Sequence, residues 1–152
     1  MIKQFNTYLA IIFRCYIGGI FIYASLYKIN YAGEFAEAIA SYELVPLFAV
    51  NIMALSMPWI EIICGSFMIA GIRHKSATVI LGGLMVLFIT AVSINLLRDT
   101  PIDCGCFHAI EDPISWKTLV RDSIWLLMII HVYYFDSILH LEMQFVKKFK
   151  DI

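Results

Sequence analysis

The sequence predicts an all-α protein, an integral membrane four-helix transmembrane bundle formed by residues 1–152 as a single domain. Three observations lead there. Hydrophobic residues make up 61% of the 152 and charged residues only 15%, with a mean hydropathy of +0.82. A soluble domain carries about 25% charged residues to cover its surface, so this chain cannot cover itself in water. The apolar residues also fall into four blocks, 8–27, 50–72, 77–97 and 119–135, close to the roughly 20 residues that a spanning helix needs. Each block is apolar all round, as lipid-facing helices are. A net charge of -1 gives no sign of nucleic-acid binding. Four cysteines in so apolar a chain are not a small secreted disulfide framework.

The first block is too long for the apolar core of a secretory signal, and Arg14 interrupts it, so it reads as an uncleaved spanning helix. Arg73-His74-Lys75 leaves the second and third blocks no choice but to lie antiparallel. The segment 28–49 is longer, and its stretch from Glu34 to Tyr42 is expected to form a short interfacial helix. The segment 98–118 is punctuated by Pro101, Gly105 and Pro113, which mark a loop. The fourth block is the shortest, and a tail, 136–152, follows it.

Orientation is read from the basic residues. Four spans leave both termini on one side, with Lys3, Arg73, Lys75, Lys147, Lys148 and Lys150. The opposite side holds Lys28, Arg98, Lys117 and Arg121. The excess favours cytoplasmic termini, with both long loops facing outward. Trp116 then belongs to the outer aromatic belt. The lysines of the tail suit contact with anionic lipid.

Arg14 and Glu61 stand inside apolar blocks. A charge at the bilayer centre costs on the order of 3 kcal/mol, so such groups face the bundle interior and pair. Counted from the block ends, Arg14 lies about 9 Å and Glu61 about 13 Å from the inner surface. An Arg14–Glu61 salt bridge is the resulting expectation, as a register-fixing pair or as part of a pocket for a quinone head group. Arg14, Gly18, Ser25 and Lys28 share one stripe of the first helix. Ala54, Met57, Pro58, Glu61, Gly65 and Met68 share one of the second. Small residues on these stripes let two backbones approach. Pro58 releases a backbone carbonyl within the second helix. Cys15 and Cys64 read as small buried hydrophobes.

The most specific segment is Asp103-Cys104-Gly105-Cys106-Phe107-His108. An outward loop faces an oxidising compartment, where a disulfide persists. A ring closed over one residue departs from relaxed disulfide geometry and is easier to reduce, which suits exchange rather than stapling. Gly105 supplies the backbone freedom. Lys28, Asn95 and Arg121 belong to the same outer rim. These two cations and Arg98 would favour thiolate, while Asp103 opposes it, and the rim is a second place where a quinone could sit. Two other readings stay open: an inert structural disulfide in an assembly or anchoring subunit, and copper or zinc held by Cys104, Cys106 and His108.

Taken in order, these residues resemble the MauE branch of the DoxX-like membrane proteins. The matching positions are Arg14, Gly18 and Lys28, then Tyr42 and Pro46, then Pro58, Glu61 and Gly65, then Asp103 to Phe107, and finally Arg121. They cover about residues 8 to 135. The resemblance implies a multi-pass protein of the bacterial cytoplasmic (inner) membrane, redox-associated and acting beside a thioredoxin-like periplasmic protein. In that branch the family's namesake serves the maturation of methylamine dehydrogenase, whose small subunit needs many disulfides, and other DoxX-like proteins serve quinone-linked sulfur oxidation. His108 departs from the family, which often has glycine there.

Overall fold

The computed structural model describes residues 2–98 and 115–136, with side chains from Phe5 onward. Among the described residues the chain forms helices α1 (Ile2–Asn30), α2 (Ala32–Ser41), α3 (Leu47–Ala70), α4 (His74–Leu97) and α5 (Trp116–Phe135). All but α2 are long and apolar enough to cross a membrane, over Phe5–Asn30, Leu47–Ala70, His74–Leu97 and Trp116–Phe135. The fourth span is thus longer than its apolar block, because Trp116 and Lys117 form its first turn. The expected interfacial helix is α2, and none of its residues is buried.

The breaks between helices follow from local chemistry. Pro46 stands at the N-cap of α3 with an extended backbone, where its missing N–H is no loss. Gly71 ends α3 in the left-handed region at φ 70. Its N–H donates to the Met68 carbonyl at 3.3 Å and the Ile72 N–H to the Phe67 carbonyl at 3.0 Å, a pairing that satisfies the last carbonyls of a helix. Arg73, also at positive φ, completes the turn into α4. Within the spans, outward serine and threonine hydroxyls are satisfied by their own helix. Ser56, Ser66 and Thr90 face outward, and each donates to a carbonyl one turn back at 2.7–2.8 Å. Such residues can then face lipid without an unsatisfied polar atom.

The four long helices form a ring in the order α1, α3, α4, α5, with α2 laid on α3 and α1. The core is built from Ile17, Phe21, Cys64, Met68, Ala77, Leu81, Met85, Ile129 and Val132. The closest approach lies between α1 and α3. A Cβ placed on Gly18 would stand 2.6 Å from Ile69 Cγ1 and 2.9 Å from the Gly65 carbonyl oxygen, and one on Gly65 would stand 3.0 Å from the Gly18 oxygen. Gly18→Ala is therefore expected to lower stability in detergent by about 1–3 kcal/mol, the usual cost of overpacking. Gly19 meets nothing within 4 Å, so Gly19→Ala should be neutral or slightly stabilising. Thermal melting of the two variants side by side checks this.

Candidate functional site

The stripes read from the sequence are the buried faces. Arg14, Gly18, Ser25 and Lys28 are buried on α1, as are Ala54, Pro58, Glu61, Gly65 and Met68 on α3. Met57 is half-buried. The pairing of their charges differs from expectation. Glu61 bonds Lys28, not Arg14: Lys28 Nζ donates to both carboxylate oxygens at 2.8 Å. Ser25 Oγ lies 3.3 Å from Glu61 Oε2 and also donates to the Phe21 carbonyl. Arg14 bonds Asp136 instead, Nη1 to Oδ2 at 2.9 Å.

The reason is register. Contact of Gly18 with Gly65 sets α1 against α3 and brings Ser25 level with Glu61. Arg14 precedes Ser25 by about 16 Å of helix, at 1.5 Å per residue, too far for its side chain. Counting depth from the ends of apolar blocks misses this offset, because it assumes that the two blocks end level, whereas Gly18 meeting Gly65 sets Arg14 opposite the last turn of α3. Lys28, at the last turn of α1, reaches back along the helix on its four-carbon stem. Its ammonium also lies 5.0 Å from the centre of the Phe35 ring, within cation–π range.

Lys28 and Glu61 form one wall of a cavity of about 400 Å³ among α1, α3, α4 and α5, with Phe35 of α2 and Tyr42 above it. The remainder is mostly apolar. Phe21 comes from α1, Met53 and Met57 from α3, Met85 and Phe88 from α4, and Trp125 from α5. Asp122 of α5 completes the lining. It is 1% exposed. Arg121 Nε donates to Asp122 Oδ1 at 3.0 Å, while Asp122 Oδ2 has no hydrogen-bond partner among the described residues. The Arg121 guanidinium lies over the Trp125 ring at 4.9 Å.

The expected outer rim is therefore divided. Lys28 lines the cavity. Asn95 is buried on α4, where its amide donates to the Ala91 carbonyl at 3.0 Å and reaches the Tyr42 carbonyl at 3.5 Å, so it ties the α2–α3 loop to α4. Arg121 is partly exposed and acts on the cavity through Asp122 and Trp125. The sequence criterion that singles out Arg14 and Glu61 applies equally to Asp122, which lies inside the fourth apolar block. Asp136 left no such signal, because it follows the last apolar residue and reads as part of the tail. It caps the end of α5 with its carboxylate turned inward, 5% exposed. Beside it, His131 stacks on Phe135 at 4.6 Å and places Nε2 3.3 Å from the Asn6 carbonyl.

Cys64 is a buried core residue, as expected, but Cys15 is exposed. It follows Arg14 directly and is thereby turned off the buried stripe. Cys104, Cys106 and His108 lie outside the described residues. Among the described residues no group of three or more His, Cys, Asp or Glu is placed to hold a metal ion.

The sequence has relatives that bear on this site. It is 29% identical over 113 residues to the methylamine utilization protein MauE of Paracoccus denitrificans, covering 73% of this chain and 61% of that one. It is 30% identical over 102 residues to the protein of the same name from Methylorubrum extorquens, covering 66% and 55%. For that of Methylophilus methylotrophus the figures are 33% over 84 residues, covering 55% and 44%. The chain thus spans about half the length of these curated relatives. No solved structure matches. Residues 6–135, which hold all four spans but for the start of the first and the whole cavity, match the family described as methylamine utilisation protein MauE, and the chain belongs to that family of multi-pass membrane proteins.

Proposed function

We propose that this protein is a thiol–disulfide redox component of the bacterial cytoplasmic membrane, with both termini in the cytoplasm. In this reading Cys104 and Cys106 face the periplasm and cycle between dithiol and disulfide. They exchange with a thioredoxin-like partner, in support of disulfide maturation of exported proteins such as those that methylamine utilisation requires. The electrons pass on to a membrane quinone. The observation that carries the reading is the position of the cavity. The segment with both cysteines leaves α4 at Arg98 and re-enters at Ser115. Residues Ala91 and Ile94 below the first of these points, and Asp122 below the second, line the cavity. The cysteine segment is thus tethered at both ends to the part of the bundle that encloses the cavity.

The residues fit such a carrier. The walls are mostly apolar, and a cation and a carboxylate stand among them. A quinone bound there supplies two-electron, two-proton chemistry. Lys28 can donate a hydrogen bond to a carbonyl oxygen, Trp125 and Phe88 offer aromatic surfaces to a ring, and the apolar walls exclude water.

The test is a mixed-disulfide trap. With Cys106→Ser in cells, Cys104 should accumulate in a covalent complex with a thioredoxin-like protein, and Cys104→Ser should do the same through Cys106 or abolish trapping. A pair that stays disulfide-bonded under strong reductant, with function intact after both substitutions, would establish a fixed link in an assembly or anchoring subunit instead. Stoichiometric zinc or copper on the purified protein, lost on His108→Ala, would establish metal handling.

A further inference from the structure

The cavity has an opening on its side, and the winding of each helix shows where. Gly82 of α4 faces α5, since a Cβ there would stand 3.4 Å from Ile129 Cγ2. Leu87 comes five residues later, about 140° round the helix, so it stands on the other flank of α4, beside α3. Gly65 of α3 meets α1, and Met53 stands about 120° round from it, beside α4. Met53, Met57, Leu87 and Thr90 all line the cavity. Leu87 is nevertheless 61% exposed, Thr90 is exposed and the two methionines are half-buried. Nearer the turn at 71–73, Cys64 and Met68 of α3 share the core with Ala77 and Leu81 of α4. The lining begins beyond them, at Glu61 and Leu84, so α3 and α4 pack together near their turn and part further on. Met57 and Leu87 each stand about 20 Å along their helix from that turn. In a hydrocarbon core about 30 Å thick, that level lies among the acyl chains.

Whatever enters at that level must dissolve among acyl chains. What binds inside meets Lys28 with Glu61, a pair neutral in sum, while Asp122 is held by Arg121. A phosphate or carboxylate head would lose its hydration there and gain no net opposite charge. A neutral carbonyl suits the site better. The Lys28 ammonium has three N–H donors and gives two to Glu61, so the third can serve a ring oxygen. We infer that an isoprenoid quinone lies across this opening, its ring beside Lys28 and its chain running out to lipid between Met57 of α3 and Leu87 of α4. The choice of a quinone rests on the function proposed above, whereas the passage rests on the positions of the two helices. Methionines suit such a passage, because an unbranched thioether side chain repacks around a guest at little cost. The chain stays in the bilayer throughout, so the ring reaches Lys28 without crossing water.

The experiment places the full chain in lipid nanodiscs with a decylubiquinone that carries a diazirine near the ring end of its chain. After irradiation, adducts are mapped by mass spectrometry. Those that an excess of unmodified decylubiquinone removes should fall on Met53, Met57, Leu87 and Thr90. Removable adducts on α1 or α5 instead would overturn the passage and leave the quinone standing. No removable adduct on any helix would overturn both. A diazirine-bearing stearic acid that labels the same four residues, and is displaced equally well, would show a general acyl site and overturn the choice of a quinone. Rates give a second test. Leu87→Phe with Thr90→Phe narrows the opening at two exposed residues, so the fold should persist. Association of decylubiquinone, followed by stopped-flow quenching of tryptophan fluorescence, should slow about tenfold or more while the affinity moves less than about threefold, because a narrower passage delays entry and exit alike. Val79→Phe with Val86→Phe, also exposed on α4 but outside the lining, should leave the rate unchanged. Equal slowing in both pairs, or slowing in neither, would overturn the inference. The removable adducts should persist in Cys104→Ser/Cys106→Ser. If they do while the mixed-disulfide trap fails, the thiol reading falls alone.

Discussion

Glu61→Gln should lower the stability of the bundle by about 3–5 kcal/mol, the cost of removing one partner from a buried ion pair. The substitution keeps the shape and a hydrogen-bonding oxygen but leaves the Lys28 ammonium without its counter-charge. The Lys28 and Glu61 side chains are 10% and 8% exposed, so water does little to compensate. Removing both charges should be far milder, because a buried pair is worth little relative to apolar residues of similar volume. Lys28→Met with Glu61→Leu is thus predicted to melt closer to wild type than Glu61→Gln alone. Thermal unfolding of the three proteins in one detergent measures it. A double variant less stable than Glu61→Gln would show that these residues do not act as a pair.

A loss of similar size is expected from Asp136→Asn. The side chains of Arg14 and Asp136 are 4% and 0% exposed, so the remaining guanidinium would be buried and unpaired. The bond joins the first half of α1 to the end of α5. Its loss should therefore loosen that end of the bundle first, which hydrogen exchange can localise to α5 around Val132 and Phe135. Glu61→Gln should loosen the opposite end, around Lys28 and Tyr42. Because the two bridges share no partner and lie at different levels, their effects should add within about 0.5 kcal/mol. Strong coupling between them would contradict the separate registers described above.

The sequence made the spans and their buried faces legible for different reasons. Twenty apolar residues in a row leave little choice but to cross a membrane. A face is harder to read, because lipid and core are both apolar, so Leu and Ile carry no direction. Arg14, Gly18, Ser25 and Lys28 carry it, because small or polar side chains are costly toward lipid and useful against another helix. The axial offset between helices is not written in any one of them. It is fixed by the Gly18–Gly65 contact, which depends on two residues meeting across the bundle, and it decided that Glu61 faces Lys28 and Arg14 faces Asp136. For the same reason Lys28 was legible as a rim cation but not as the partner of Glu61. Cys15 shows the limit of composition: one residue from Arg14, it points the other way. Asp122 was legible in principle as an ionisable residue inside an apolar block. Its place on the cavity depended on how α5 closes the ring.

The reading proposed for this protein stands or falls on whether Cys104 and Cys106 form a reversible disulfide on the periplasmic side. The most direct measurement is labelling of these cysteines in intact spheroplasts with a membrane-impermeant maleimide, before and after treatment with an impermeant reductant. In a background with Cys15 and Cys64 replaced by alanine, no labelling is expected before reduction and full labelling of both thiols after it. On removal of the reductant, labelling should be lost again only while quinone remains available to be reduced. Labelling only after the membrane is permeabilised, or thiols that never re-form a disulfide, would contradict it.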